Sequence, residues 1–167
     1  MTTPPKEYCM IPLTKGQFAL VDEEDYPLVA KFKWQAQWNH HTKGFYAQTT
    51  QRDATGKWVT FKMSRFLLAL KRGDPRQAEH ANRDTLDNRR SCNLRVATHS
   101  ENQGNAKRSA ANTSGYKGVC LQNGKWKAQI QVNRKHMHLG YFKTPEDAYV
   151  AYCRAALEHR GEFARFL

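Results

Sequence analysis

Residues 125–132 alternate strictly, with Trp126, Ala128, Ile130 and Val132 on one side and Lys125, Lys127, Gln129 and Gln131 on the other. A period of two fits a β-strand with one buried and one open face. Asn123-Gly124 precedes this strand and Asn133-Arg134 follows it; either pair suits a tight hairpin turn, so strands at 117–121 and 135–142 flank it. A three-stranded antiparallel sheet follows. Its apolar face needs a cover, and Thr144-Pro145-Glu146-Asp147 starts a helix with an N-cap hydroxyl, a proline at the first helical position and carboxylates in the first turn. Ala148, Ala151, Tyr152, Ala155 and Ala156 then recur at helical spacing until Gly161, giving a face that presses on the sheet. The polar sheet face stays open.

The first part of the chain reads differently. Strands are predicted at 8–13, 18–21, 45–49 and 58–61, which are rich in aromatic and β-branched residues and separated by Lys15-Gly16, Lys43-Gly44 and Thr55-Gly56-Lys57. The acidic run Asp22-Glu23-Glu24-Asp25 precedes Tyr26, Val29, Ala30 and Phe32 and reads as the solvated start of a short helix, not as a metal site. A further helix is expected over 64–71, ended by Gly73-Asp74-Pro75. The small, polar segment 109–115 reads as a linker between two domains.

The formal net charge is +12, and no acidic residue occurs between Glu101 and Glu146 while Lys107, Arg108, Lys117, Lys125, Lys127, Arg134, Lys135 and Lys143 do. So many like charges repel one another unless phosphates neutralise them, which points to nucleic acid as the partner. No segment joins basic residues to a long apolar helix face, so a membrane surface is not expected as partner. The opening residues 1–6 lack an apolar signal core, and a cytoplasmic protein is expected. Cys9, Cys92, Cys120 and Cys153 are widely spaced, which suits plain thiols.

The chemistry concentrates in 78–108. Glu79-His80 ends one predicted strand, Asn93-Leu94-Arg95-Val96 opens the return strand, and Thr98-His99-Ser100-Glu101-Asn102 follow. An imidazole with a pKa near 6.5 can accept a proton from water at neutral pH, which makes His80 the candidate base. Glu79 and Asn102 offer a carboxylate and an amide oxygen to one hard divalent cation. Ser100-Glu101-Asn102-Gln103 fits a capping box that puts Asn102 in the first turn of a helix. Asp84, Asp87 and Asn88 are good turn formers and are read as shaping the loop. His99 is read as solvated or facing DNA, and His40 and His41 receive no role.

Glu79-His80-Ala81-Asn82-Arg83-Asp84, Leu86-Asp87-Asn88-Arg89-Arg90, Asn93-Leu94-Arg95-Val96 and Thr98 through Asn102 resemble the ββα-metal motif of the HNH endonucleases. The resemblance implies a hydrolase that cuts DNA phosphodiesters. His80 would be the general base, Asn93 would steady the loop and the base, and Glu79 with Asn102 would bind one Mg²⁺ or Mn²⁺. The usual aspartate before the histidine is here Glu79, one methylene longer. Cys92 reads as an insertion that would bulge the return strand or shift its register.

Ser114-Gly115-Tyr116-Lys117-Gly118-Val119, Gly124-Lys125-Trp126-Lys127-Ala128-Gln129-Ile130, Leu139-Gly140-Tyr141-Phe142 and Thr144-Pro145-Glu146-Asp147-Ala148 resemble the Apetala2-type DNA-binding domain, which also occurs fused to phage HNH nucleases. In such a domain the open sheet face enters the major groove. Carried across, the DNA-contacting positions are Lys117, Cys120, Gln129, Gln131, His136 and His138, with Lys125, Lys127 and Lys135 on phosphates.

The expectation is therefore an α+β chain: a β-rich nuclease domain over 1–108 with its ββα-metal core at about 78–108, the linker, and an Apetala2-like domain over 116–167. A phage-type homing endonuclease is implied, acting on double-stranded DNA in a host cytoplasm. A single site cuts one strand per visit, so a monomer or weak dimer would nick. The competing expectation is a DNA-binding or regulatory protein whose nuclease core is weakened at Glu79.

Overall fold

A computed structural model of the chain describes residues 7–104, 109 and 111–166. The opening segment 1–6, the end of the expected nuclease core at 105–108 with Lys107 and Arg108, and Ala110 of the expected linker lie outside the described residues. The chain divides into two compact units, Met1–Ala97 and Thr98–Leu167. Both combine short helices or one longer helix with small antiparallel sheets. No helix among the described residues is long and apolar enough to cross a membrane.

The first unit opens with a hairpin of β1 (Tyr8–Pro12) and β2 (Phe18–Asp22), followed by a 3-10 turn at Glu23–Asp25 and the short helix α1 (Tyr26–Val29). A three-stranded sheet runs β3 (Gln35–Asn39), β4 (Gly44–Arg52) and β5 (Trp58–Lys62), and α2 (Met63–Leu67) follows. Strands β6 (Gln77–His80) and β7 (Leu94–Ala97) form a separate pair. Alternation sends Ile11, Ala19 and Val21 inward from the hairpin, where they join Val29, Trp34, Ala47, Met63, Leu67 and Leu94 in one core. Phe32 stands edge-on to Trp34, Phe61 and Phe66 at 5.7, 5.7 and 5.2 Å, the arrangement that aromatic quadrupoles favour.

Three details of this unit differ from the sequence reading. Strand β3 was not expected, because its inward residues, Ala36 and Trp38, give only a short alternation. Helix α2 stops at Leu67, where the chain turns through Ala69 at φ +52° and Leu70 N–H reaches back to Arg65 O at 2.9 Å. The acidic run is not solvated throughout: Glu23 and Glu24 are exposed, but Asp22 and Asp25 are buried. Ser91 N and Oγ donate to Asp22 at 2.9 and 2.5 Å, and the Arg90 guanidinium pairs with Asp25. Local sequence could not show partners so far along the chain.

The second unit begins with α3 (His99–Gly104). The division thus falls between β7 and this helix, ahead of the segment read as linker. Gly104 explains it: a Cβ there would lie 2.9 Å from Arg160 Cδ, so the helix is seated tightly within the C-terminal unit. Lys117 Nζ donates to Gly104 O at 2.6 Å, and Asn133 N donates to Ser100 Oγ at 3.0 Å. The cap of α3 is Thr98 with Glu101, not Ser100 with Gln103. Thr98 N donates to Glu101 Oε2 at 2.6 Å and Glu101 N to Thr98 Oγ1 at 3.3 Å, a reciprocal box.

The sheet of this unit is β8 (Val119–Gln122), β9 (Lys125–Val132) and β10 (Lys135–Phe142), antiparallel with β9 central. Asn123, Gly124, Asn133 and Arg134 all have positive φ, as two-residue hairpin turns demand. Helix α4 (Pro145–Arg160) is capped by Thr144, whose side chain accepts from Asp147 N, and Ala148, Tyr152, Ala155 and Ala156 are buried against the strands. Strand β8 starts at Val119 because Gly118, at φ +76°, turns the chain and offers its carbonyl to Gln129 N at 2.8 Å. A Cβ on Gly118 would run into the Tyr152 ring and lie 2.6 Å from Gln129 O. Gly118→Ala therefore combines a close clash with a left-handed backbone, and a thermal melt of the variant is expected to show a loss of about 3 kcal/mol or more.

Candidate functional site

Register puts Glu79 opposite Arg95 and His80 opposite Leu94, with Ala81 N continuing the ladder to Asn93 O at 3.0 Å. The connecting loop, 81–93, is held by buried amides. Asn93 Oδ1 accepts from Asn82 N at 2.8 Å while its Nδ2 donates to Asp87 O at 2.6 Å, so one side chain clamps both halves of the loop. Asp84 and Asn82 cap the intervening turns, and Asp87 accepts two bonds from Arg89 at 2.8 Å each. Asn88 N donates to Leu20 O at 2.7 Å and Leu20 N to Leu86 O at 2.9 Å, which fastens the loop to the edge of β2. The expected bulge at Cys92 is absent from β7. The pairing from Gln77↔Ala97 to His80↔Leu94 is unbroken, and the exposed Cys92 is taken up in the turn before the strand.

His80 is 6% exposed, with Nε2 at 3.4 Å from Asn88 Oδ1 and its ring edge-on to Tyr46 at 6.2 Å. Burial pushes its pKa below the ordinary value. The Asn88 bond and the Asp84 and Asp87 charges act against that shift, and Lys62 adds to it. At neutral pH the ring is uncharged and able to accept a proton.

Glu79 is 3% exposed. Its Oε2 pairs with Arg95, whereas Oε1 is buried with no hydrogen-bond partner among the described residues. A buried carboxylate oxygen left so costs about 1–3 kcal/mol or more, and a hard cation is the kind of partner that relieves it. Among the described residues no group of three or more His, Cys, Asp or Glu side chains gathers as a metal cluster. One carboxylate oxygen suits an ion such as Mg²⁺, which keeps most of its water. Asn102 lies on α3 in the second unit, where its N–H bonds Thr98 O at 3.0 Å. Glu79, His80 and Asn93 are therefore together in the first unit, and Asn102 belongs to the other.

In the second unit the register gathers most of the expected DNA-facing residues on the side of the sheet away from α4. Gln129 pairs with His138, Gln131 with His136, and Lys127 with Cys120 and Tyr141, with Lys125 one step on. His138 and Tyr141 rings lie 4.8 Å apart. Two positions fall elsewhere: Lys135 pairs with Val132 on the helix side, and Lys117 precedes β8 with its ammonium on Gly104 O. A bulge between His138 and Gly140, not read from the sequence, adds Leu139 to the core side and keeps Tyr141 on the open face.

No family model matches this sequence.

Asn88, Asp22, Asp25, Lys62 and Tyr46 join the site without having been singled out for it. Asn88 occurs in a stretch rich in turn formers and the two aspartates in an acidic run, where composition alone suggests surface. Two measurements follow. Asn93→Ala leaves Asn82 N and Asp87 O without their partner and should cost about 2–3 kcal/mol in denaturant unfolding. In NMR titration of the metal-free protein, His80 should titrate below the ordinary histidine value, and Asn88→Asp should raise that midpoint by placing a negative charge beside the ring.

Proposed function

We propose that this protein is a metal-dependent endonuclease that hydrolyses one strand of duplex DNA, working as a nicking enzyme of the phage homing type. The observation that carries the reading is the adjacency, at the buried end of one strand, of a histidine and a carboxylate whose second oxygen has no hydrogen-bond partner among the described residues. His80 takes the proton of the attacking water, whose oxygen forms the new bond to phosphorus as the bond to the 3′ oxygen breaks. Asn93 and Asn88 hold the loop and the ring so that the base has one position. Glu79, and by the HNH resemblance Asn102, would hold a Mg²⁺ or Mn²⁺ ion, which supplies charge stabilisation at the phosphate and the leaving oxygen. The Apetala2 resemblance and the acid-free polar face of β8–β9–β10 support binding to double-stranded DNA, with Lys125 and Lys127 on phosphates and Gln129, Gln131, His136 and His138 near base edges.

One observation favours a second reading. Arg95 already neutralises Glu79, and a cation would have to enter beside that guanidinium; a DNA-binding protein with a weak nuclease core would look the same. Supercoiled plasmid separates the two. Wild type with Mg²⁺ or Mn²⁺ is expected to yield nicked circles, chelator to stop the reaction, and His80→Ala to slow it about 10²–10⁴-fold while leaving plasmid binding intact. Retarded but uncut plasmid in both metals would establish the second reading instead.

A further inference from the structure

The first unit carries another sheet face that the HNH and Apetala2 resemblances do not use. In β3–β4–β5, register sets Gln37 beside Tyr46, Gln48 beside Lys62, and Arg52 beside Trp58 on the side away from the core. Ala36, Ala47 and Thr49 are buried on the opposite side. No acidic residue falls on the outward face. Trp58 is 61% exposed, with the Arg52 guanidinium 5.1 Å over its ring. A large aromatic side chain left in water beside a cation, among amides and hydroxyls, matches the chemistry of a sugar–phosphate chain better than that of an apolar partner.

The inner end of the face leads to the candidate base. Lys62 Nζ lies 3.9 Å over the Tyr46 ring, and Tyr46 stands against His80. Lys62 is half-buried and has no carboxylate within ion-pair reach among the described residues. Burial and the nearby Arg65 charge hold its pKa below the ordinary lysine value. An anion beside it would relieve both costs.

We propose that the open face of β3–β4–β5 binds the phosphate backbone of duplex DNA, from Arg52 and Trp58 at its outer end to Lys62 beside His80. This rests on the DNA reading above and adds a binding surface to it, one that places a phosphate next to the base independently of the β8–β9–β10 sheet.

The test uses the full-length protein and a duplex of about 30 base pairs in metal-free buffer, with affinity measured across a potassium chloride series. Each lost phosphate contact lowers the slope of log affinity against log salt by about 0.9, so Arg52→Gln/Lys62→Gln should flatten it by about 1.8. Lys125→Gln/Lys127→Gln serves as the comparison on the other sheet. An unchanged slope in the first variant with a flattened one in the second overturns this inference and leaves the DNA reading standing. Absence of any wild-type binding removes both. Trp58→Phe, a surface change that leaves packing intact, gives an independent readout: duplex-induced quenching of tryptophan fluorescence should fall at least twofold, and full retention of the quench overturns the proposal even if the charge variants misfold.

Discussion

The candidate site depends on a loop that is tied to a strand far away in sequence. Strand β2 pairs with β1 along one edge and along the other accepts Asn88 N and donates to Leu86 O. At its last residue and just beyond, Asp22 and Asp25 hold Ser91 and Arg90, the residues that lead into Asn93. Asn93 then closes the loop on itself. An untethered loop of this length would sample many conformations. Here its turns are tied by side-chain hydrogen bonds, those of Asp87, Asn88 and Asn93 from buried side chains, so His80, at the strand end where the loop departs, has a defined position.

The same network sorts the charges. Arg89, Arg90 and Arg95 pair with Asp87, Asp25 and Glu79, all buried carboxylates. Planar guanidinium forks suit such sites better than lysine ammonium groups. Three acidic residues are thus used in holding the first unit together, whereas Lys62, Lys125 and Lys127 stand on sheet faces where no carboxylate lies among the described residues. Part of the net charge of +12 is thus carried by lysines on sheet faces, a placement consistent with the polyanionic partner proposed above.

What could be read in the sequence follows from how local the determining interaction is. Strands β9 and β10 were expected at the residues where they lie, because alternation and the hairpin turns are encoded within a few neighbours, and Thr144 with Pro145 fixes the start of α4 in the same way. Glu79, His80 and Asn93 are grouped by the order of their residue types, which resembles a motif, and the pairing of β6 with β7 brings them to one end of a strand pair. The burial of Asp22 and Asp25 was not, since their partners lie in the distant 81–93 loop. The cap of α3 differs from the sequence reading because two overlapping boxes, Thr98–Glu101 and Ser100–Gln103, have the same spacing, and the structure forms the first while Ser100 Oγ accepts from Asn133 N.

Single-residue insertions show why position within an element matters more than the insertion itself. At Cys92 the extra residue falls in a turn, where φ and ψ can absorb it, and β6–β7 keeps its register. At Leu139 the extra residue falls inside β10. Were Leu139 accommodated without a bulge, the alternation that puts His136 and His138 on the open face would turn the residue after Gly140 toward the helix. The bulge resets the period: Leu139 and Gly140 both lie on the core side, and Tyr141 returns to the open face opposite Lys127. One residue thus enlarges the apolar contact with α4 and preserves the composition of the polar face, two requirements that an uninterrupted strand of this sequence could not meet together.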